Sequence, residues 1–393
     1  MTGAVRPVDA PVKDAAAISR IQSIDILRGA VMILMAIDHV RVYSGLPAGG
    51  PTAGIFFTRW ITHFCAPAFA FFAGTSALLY GRKLADRGAL ARYLLTRGLI
   101  LVVLELTLIR FTWTFNIDYG RFVLAGVIWM LGWCMVILGG LVRLSPGAVG
   151  IIGLAVVFCQ QVFGLLPGLL PQAMRGSAGR IWEFIYPAGL KGWPGINVLY
   201  VLVPWIGVMA AGYGFGALLA GKTEEQRRRL CLRIGLSATA LFLAIGGIVV
   251  FSSGGGDPRP AIFRLLDQRK YPASQLYLLM TLGPTIALMP LAENVRGWFA
   301  DIVATFGRVP MFYYLLHIPA IHLAALAVNF LREGDAHSSW YGSAPFVFVP
   351  PAHRWSLALL YLVWAIVVGA LYVPCRWFAK AKAGRRAGWM KYI

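Results

Sequence analysis

The sequence predicts an all-α polytopic membrane protein. Of its 393 residues, 59% are hydrophobic and only 13% are charged, a composition that excludes an ordinary soluble domain. Hydrophobic runs long enough to cross the bilayer recur along the chain, and we expect about ten transmembrane helices. Their predicted centres lie near residues 33, 68, 105, 131, 157, 206, 242, 284, 317 and 366.

Lysine and arginine are unevenly distributed around these runs. With both termini cytoplasmic, about two thirds of the 36 Lys and Arg residues lie on inner segments, as the positive-inside rule requires. The predicted organisation is therefore a cytoplasmic N-terminal tail (1–22), a membrane domain (23–378) and a basic cytoplasmic C-terminal tail (379–393). Topology and attraction to anionic membrane lipid account for the net charge of +20, so no nucleic-acid partner is expected.

Several kinds of chemistry find no support in the sequence motifs. The five cysteines form no CxxC pair, which indicates neither a disulfide framework nor a thiolate metal site. The sequence has no HExxH, no Walker-type loop and no GxSxG elbow, so zinc-protease, ATP-driven and serine-hydrolase mechanisms are not indicated. No metal is expected.

The most informative segment is the first predicted helix, which carries ionisable residues at both ends of an apolar stretch. Its start holds Asp25 and Arg28, and its end holds Asp38, His39 and Arg41. At 100° per residue, Arg28 and His39 lie within roughly 20° of each other, and Asp25 lies within roughly 40° of His39 and roughly 21 Å from it. Ionisable groups beside hydrocarbon usually mark a site or a pathway. One face of this helix is therefore predicted to serve both membrane surfaces.

A second polar cluster opens the next predicted helix. Arg59 and His63 are spaced i, i+4 and share a helix face, and the short loop 45–54 holds them beside the end of the first helix. Five side chains are thus expected to converge at the outer surface: Asp38, His39, Arg41, Arg59 and His63. They could supply a general base, its orienter and anion-stabilising donors. The alternative is that the arginines snorkel and the histidines cap helix ends, but five polar groups at one hairpin favour a site.

Further polar residues lie in later segments. Glu105 is predicted mid-membrane with Arg110 five residues on, and a structural ion pair is expected because a buried carboxylate needs a partner. His317 falls roughly 13 Å inside the inner surface, where a structural hydrogen bond and a function are both open. Three long outer loops carry Trp, Tyr, Arg and Asp, which suit a carbohydrate ligand and interfacial anchoring equally: residues 167–195, 253–273 and 332–354.

Two motifs in the first helix give the chain a family resemblance. They are Ser23–Gly29 (SIDILRG) and Met35–Arg41 (MAIDHVR), supported by Phe57–Gly74, Lys270–Pro284 and Phe306–His317. On these motifs the chain resembles a family grouped with the catalytic domain of heparan-alpha-glucosaminide N-acetyltransferase, among the transmembrane acyltransferases. The resemblance extends over nearly the whole chain.

The resemblance implies a multi-helix membrane enzyme that takes acetyl groups from cytosolic acetyl-CoA and delivers them to a sugar amine across the bilayer. A histidine would serve as base or transient acyl carrier. In the lysosomal enzyme this histidine lies in the loop after the Asp–Arg–Gly helix, whereas residues 45–54 here contain none. The nearest candidates are His39, just before the loop, and His63, just after it.

The resulting hypothesis is an acyltransferase of a bacterial inner membrane. Its donor would be acyl-CoA, in the first instance acetyl-CoA, and its acceptor a periplasmic saccharide or lipid-linked glycan. The donor would bind at the cytoplasmic mouth through Asp25, Arg28, Arg82 and Lys83. His39 is the first choice for the catalytic residue and His63 the second. Asp38 joins them, although its rotation of about 100° from His39 also suits acceptor binding.

The acceptor or the tetrahedral oxyanion would be held by Arg41 and Arg59, with His317 as a further substrate-binding residue. Two other readings stay open at this point. The same charges could line a transporter or channel for an anionic or sugar-like solute, or the chain could be an idle member of the family that scaffolds envelope enzymes. A homo-oligomer is also open.

Overall fold

The structure is a computed structural model that describes residues 21–169, 171–187, 193–252, 257–384 and 388–392. Most of the predicted N-terminal tail lies outside the described residues, as do residues 385–387 and 393 of the predicted C-terminal tail. The predicted outer loops 167–195 and 253–273 are described in part.

The described chain is almost entirely helical. Its first helices are α1 (Gln22–Ser44), α2 (Ala53–Trp60), α3 (Cys65–Leu84), α4 (Arg87–Leu104), α5 (Arg110–Thr114), α6 (Val127–Leu141), α7 (Pro146–Phe158), α8 (Val162–Leu165) and α9 (Gln172–Ile185). The later helices are α10 (Trp205–Leu219), α11 (Glu224–Ser252), α12 (Ala261–Leu266), α13 (Gln275–Ala287), α14 (Met289–Asn294), α15 (Trp298–Arg308), α16 (Pro310–Glu333) and α17 (Leu357–Gly384). Two short strands, β1 (Val123–Ala125) and β2 (Ile196–Val198), pair in parallel.

The predicted class, an all-helical integral membrane protein, is confirmed. Within the described residues, five helical units are long and apolar enough to cross a membrane, and a bent pair with an angle of 61°, Pro146–Phe158 with Val162–Leu169, would make a sixth. The five are Ala53–Leu84, Glu224–Ser252, Gln275–Asn294, Pro310–Glu333 and Leu357–Gly384. Every predicted centre lies in a helical segment, but the number of ten spans and the cytoplasmic side of the termini stay predictions.

Short polar side chains and glycines set where the helices begin and end. The side chains of Thr52, Asp86 and Ser274 accept hydrogen bonds from backbone N–H groups in the first turns of α2, α4 and α13, which satisfies donors that have no intrahelical partner. Gly45 and Gly334 end α1 and α16 in the left-handed conformation, with φ of 73° and 75°, which glycine adopts without a Cβ clash. These two turns direct the following loops back over the helix ends.

α1 packs against α15 so closely that no side chain fits at the contact. A Cβ added at Gly29 would lie 1.8 Å from the carbonyl oxygen of Val303, and one added at Gly307 would lie 1.8 Å from that of Asp25. Small residues allow this backbone approach between membrane helices. The contact fixes the axial position and the rotation of α1 relative to α15. α1 is the helix predicted to carry polar residues along one face.

The predicted ion pair between Glu105 and Arg110 is wrong. Glu105 begins a π-helical turn, Glu105–Ile109, between α4 and α5, and its carboxylate accepts a hydrogen bond of 3.0 Å from the N–H of Ile128 in the first turn of α6. Arg110 donates instead to the carbonyl oxygen of Phe122 at 2.8 Å. A helix N-terminus offers unpaired N–H groups and a positive dipole, so it can satisfy a buried carboxylate without a cation.

Candidate active site

A cavity of about 660 Å³ lies at the C-terminal end of α1, and we call it the His39 cavity. Four of the five side chains predicted to converge line it: Asp38, His39, Arg41 and Arg59. The loops complete its wall with Leu46–Ala48, Lys270, Tyr271 and residues 345–349. Four of the side chains predicted to converge thus share one cavity, and two of the three predicted outer loops contribute to its wall.

His63 does not line the His39 cavity. It is buried in a 3₁₀ turn, Ile61–Phe64, with its ring edge-on to Tyr277 at a centroid distance of 5.4 Å. Neither ring nitrogen has a hydrogen-bond partner. The i, i+4 rule misplaced this residue because a 3₁₀ helix turns 120° per residue, which adds roughly 60° of rotation over three residues. A catalytic role for His63 stays a prediction without support from this cavity.

His39 and His317 form a hydrogen-bonded pair. Nδ1 of His39 lies 2.6 Å from Nε2 of His317, and Nδ1 of His317 lies 2.7 Å from the carbonyl oxygen of Tyr314. A carbonyl only accepts, so Nδ1 of a neutral His317 carries its hydrogen and Nε2 is an acceptor. His39 must then donate from Nδ1, which leaves its own Nε2 as an unprotonated acceptor. An imidazole whose tautomer is fixed in this way is an oriented general base.

Aromatic rings hold the two imidazoles in place. Trp113 packs edge-on to His39 with ring centroids 4.9 Å apart, and Tyr313 stacks on His317 at 5.2 Å. His317 is fully buried and lies behind His39 rather than in the cavity wall. His322, five residues further along α16, stacks on Phe115 at 4.0 Å and does not line the His39 cavity.

The carboxylate of Asp38 pairs with an arginine rather than with His39. Nε of Arg41 donates to Oδ1 of Asp38 at 2.8 Å, and Nη1 of Arg41 donates to the carbonyl oxygen of Leu46, also at 2.8 Å. These bonds fix both side chains in the cavity wall and tie the loop after α1 to the helix end. The structure thus places Asp38 where it can contact a ligand, while the imidazole of His39 is oriented by His317.

Three charged residues of the cavity wall were missed as site residues by the sequence reasoning: Glu105, Lys270 and Arg354. Glu105 had been assigned to a structural ion pair, and Lys270 belongs to a predicted outer loop from which no site residue was chosen. Lys270 is buried, with its ammonium nitrogen 5.3 Å from the ring centroid of Tyr271 and 5.9 Å from that of Tyr200. The signal that the sequence offered was a lysine directly before a tyrosine, Lys270 and Tyr271, in a predicted outer loop.

A second cavity, of about 230 Å³, lies along the N-terminal half of α1, and we call it the Arg28 cavity. Nη2 of Arg28 donates to the carbonyl oxygen of Phe72 and to Oγ of Ser76, each at 2.6 Å. Arg97 also lines this cavity, and most of the remaining wall is aliphatic or aromatic.

The two cavities share three wall residues, which we call the septum: Phe69, Val127 and Tyr314. His39 and Arg28 are eleven positions apart on one helix, roughly 16 Å along its axis. Arg28 and His39, which were predicted near the two ends of one face of α1, thus line two cavities that meet at the septum.

The remaining residues predicted to bind the donor are not brought into the Arg28 cavity. Asp25 is buried where α1 packs against α15, and Arg82 and Lys83 are exposed in the last turn of α3. None of the three lines either cavity. Arg82 and Lys83 are nevertheless on the same helix as Ser76, a little under two turns beyond it.

The fold and the site together define an all-helical integral membrane protein with a histidine pair beside the wall between two internal cavities. The family profile described as heparan-alpha-glucosaminide N-acetyltransferase, catalytic, matches residues 20–250. The match covers more than half of the chain, and the chain therefore belongs to this family of membrane acyltransferases. Comparison with curated proteins found no match. Arg28, His39 and two septum residues, Phe69 and Val127, lie within the matched region, whereas His317 lies beyond it.

Proposed function

We propose that this protein transfers an acyl group, in the first instance acetyl, from cytosolic acyl-CoA to an amine or hydroxyl of a saccharide on the other side of a bacterial inner membrane. The observation that carries the proposal is the free Nε2 of His39 at the end of one cavity, next to the septum that borders a second cavity. Family membership supports the reaction class. Ten helices with both termini cytoplasmic would turn the Arg28 cavity toward the donor and the His39 cavity toward the acceptor.

On the donor side, the acyl thioester would enter the Arg28 cavity. Its apolar and aromatic wall suits the acyl group and the pantetheine arm, and Arg28 and Arg97 offer guanidinium donors to the amides of that arm. The phosphates of CoA would stay outside, where the exposed Arg82 and Lys83 could contact them. Asp25, which is buried at a helix contact, is left without a role in donor binding.

On the acceptor side, the His39 cavity combines groups that suit a saccharide. The Asp38–Arg41 pair offers donors and acceptors to hydroxyl groups, and Arg59 and Lys270 add cations. The rings of Tyr200 and Tyr271, which also line this cavity, supply flat apolar surface. A lipid-linked glycan and a free sugar would present the same chemistry here.

In the proposed reaction, Nε2 of His39 removes a proton from the acceptor as its nitrogen or oxygen attacks the thioester carbonyl carbon. The resulting tetrahedral oxyanion is stabilised by the cations of the His39 cavity. The C–S bond then breaks, and the departing CoA thiolate takes the proton back from His39. His317 stabilises the imidazolium of His39 by accepting its Nδ1–H. An acyl-histidine intermediate would use the same lone pair on Nε2.

The proposal is tested in proteoliposomes that contain the purified protein. We expect free CoA thiol to be released only when acetyl-CoA and an amino-sugar acceptor such as glucosamine are both present. His39→Ala should lower this rate by about 10²- to 10⁴-fold, the usual contribution of a general base. His322→Asn is the matched control, because it changes a buried histidine that lines neither cavity, and it should keep the rate.

The two cavities that meet at the septum would also suit a transporter, and the same proteoliposomes separate the two functions. Flux of labelled sugar without CoA turnover would overturn the acyltransferase proposal and favour transport. Full thiol release by His39→Ala would leave the reaction class standing and refute the role given to His39.

A further inference from the structure

A histidine–carboxylate cluster lies outside both cavities, at the end of α16, and we call it the Glu333 cluster. Oε2 of Glu333 lies 2.9 Å from Nε2 of His337 and 2.6 Å from Nδ1 of His353. One candidate ligand atom from each of the three side chains lies within 4.8 Å of the others. Three donor atoms of the types that transition metals prefer therefore face one point.

The backbone holds these side chains in place from both sides. Gly334 turns the chain in the left-handed conformation directly after Glu333, and His337 also has a positive φ of 49°. The ring of His337 stacks on Trp340 with centroids 4.0 Å apart and an interplanar angle of 5°. His353 ends the 3₁₀ turn Pro351–His353. Such support by stacking and backbone geometry keeps the ligands close to one arrangement.

The surroundings of His337 resemble those of a metal-bound imidazole. Oδ2 of Asp335 lies 3.5 Å from Nδ1 of His337, the nitrogen that does not face Glu333, and Oδ1 of the same carboxylate accepts the backbone N–H of His337 at 3.0 Å. Histidines that bind metals usually give their second ring nitrogen to a carboxylate or a carbonyl. On the other side, Nη1 of Arg332 donates to the carbonyl oxygen of His353 at 3.2 Å.

We propose that the Glu333 cluster binds a divalent transition metal, best matched by zinc, through Oε2 of Glu333, Nε2 of His337 and Nδ1 of His353. Two histidines and one carboxylate leave the fourth tetrahedral position to water. In such a site the ligand atoms lie about 3.3 Å apart. Both nitrogens would therefore move away from Glu333 by less than about 1 Å on binding, and the two nitrogens, at most 4.8 Å apart, would move toward each other by at most about 1.5 Å. The sequence predicted no metal because His353 is 16 residues from His337, a separation that matches no metal-binding sequence motif.

The metal would tie the loop between α16 and α17 to the end of α16. Residues 345–349 of this loop form part of the wall of the His39 cavity. Tyr341, in the same loop, is fully buried. The ion would therefore have a structural role: it fixes a cavity wall from a position outside the cavity. This inference holds whether the cavity serves transfer or transport.

The experiment measures zinc bound per chain after equilibrium dialysis of the full-length protein, purified through a histidine-free tag and first stripped with a chelator. The wild type should retain one zinc per chain at micromolar free zinc. Glu333→Gln and His353→Ala should weaken binding by more than about 100-fold, because each removes a ligand. Glu225→Gln is the matched control, since it neutralises a carboxylate far along the chain that pairs with Arg229.

Hydrogen exchange gives an independent readout. Zinc should slow exchange of the amides in residues 335–354 of the wild type and leave those of His353→Ala unchanged. Where a ligand variant does not fold, Asp335→Asn decides, because loss of this supporting carboxylate should weaken zinc binding by about 10- to 100-fold with all three ligands kept. Equal zinc content in the wild type and in folded Glu333→Gln, or unchanged affinity in Asp335→Asn, would overturn the proposal.

Discussion

Replacing His317 with leucine removes the acceptor that lies 2.6 Å from Nδ1 of His39. His317 does not line the His39 cavity, so in the proposed reaction it would be a positioning residue that acts only through His39. Leucine fills much of the vacated volume without offering a hydrogen-bond acceptor. The Nδ1–H of His39 is then left without its partner, and the ring can relieve this by turning or by moving its proton to Nε2.

The size of the effect follows from the lost hydrogen bond. Leaving a buried donor unsatisfied costs about 1–3 kcal/mol. Since 1.36 kcal/mol corresponds to tenfold in rate, His317→Leu should lower kcat by about 5- to 150-fold. His317→Gln should lose less, because its amide oxygen can accept from Nδ1–H of His39. Neither change should alter the KM for acyl-CoA, since the proposed donor contacts lie in the Arg28 cavity and not beside His317.

The decisive measurement is a double-mutant cycle on CoA thiol release in proteoliposomes. Because His317 acts through His39, the variant with both His39→Ala and His317→Leu should be no slower than His39→Ala alone. Thermal unfolding midpoints of all variants check that they fold. A double variant that is slower than His39→Ala by the full His317→Leu factor would refute the positioning role, as would a fully active His317→Leu.

Three further predictions concern packing, alkaline stability and donor binding. Gly29→Ala should lower the free energy of unfolding by about 1–3 kcal/mol, because its Cβ would meet the carbonyl oxygen of Val303. The control Gly247→Ala, whose Cβ meets no atom within 4 Å, should leave this free energy unchanged or raise it by up to about 1 kcal/mol. Thermal unfolding measures both. Burial raises the pKa of Tyr341 to about 12, whereas an unfolded tyrosine ionises near pH 10. The stabilisation that Tyr341 contributes should therefore be lost as the pH rises from about 10 to 12. Over this range the thermal unfolding midpoint of Tyr341→Phe should fall less than that of the wild type. Arg97→Met should raise the KM for acyl-CoA by roughly tenfold with little change in kcat, as expected for a lost charged hydrogen bond on the donor; an unchanged KM would remove Arg97 from the donor site.

Helical periodicity predicted the part of the site that lies on one helix. Arg28 and His39 share a stripe of α1, and each lines one of the two cavities. Asp25 belongs to the same stripe but is buried against α15. Periodicity gives the direction of a side chain and not the neighbour it meets, so the close glycine contact between these helices could not be foreseen.

Local departures from α-helical geometry account for the errors within single segments. The 3₁₀ turn at Ile61–Phe64 rotated His63 out of the His39 cavity, and the π-helical turn at Glu105–Ile109 presents the carboxylate of Glu105 to the first turn of α6. A helical-wheel prediction assumes a constant rotation of 100° per residue and therefore includes neither of these two turns.

Contacts between distant segments were beyond the sequence. His39 and His317 are 278 positions apart. The depths expected for them, one at the outer surface and one roughly 13 Å inside the inner surface, gave no reason to pair them. Their meeting depends on the relative heights of α1 and α16, which are set by packing with α15 and α17. Lys270 likewise reaches the His39 cavity through the fold of its loop.

The septum has a consequence for the energetics of the cell. With the two cavities facing opposite aqueous phases, as proposed, electrical insulation at this point of the membrane rests on Phe69, Val127 and Tyr314 rather than on the full thickness of a helix bundle. An acyl group then has only a short distance to travel from one cavity to the other, but a proton would have to cross only the same short distance. In the proposed orientation, the bulk of these three side chains would hold back protons while the thioester reaches His39, and shortening them would open a path for proton leakage.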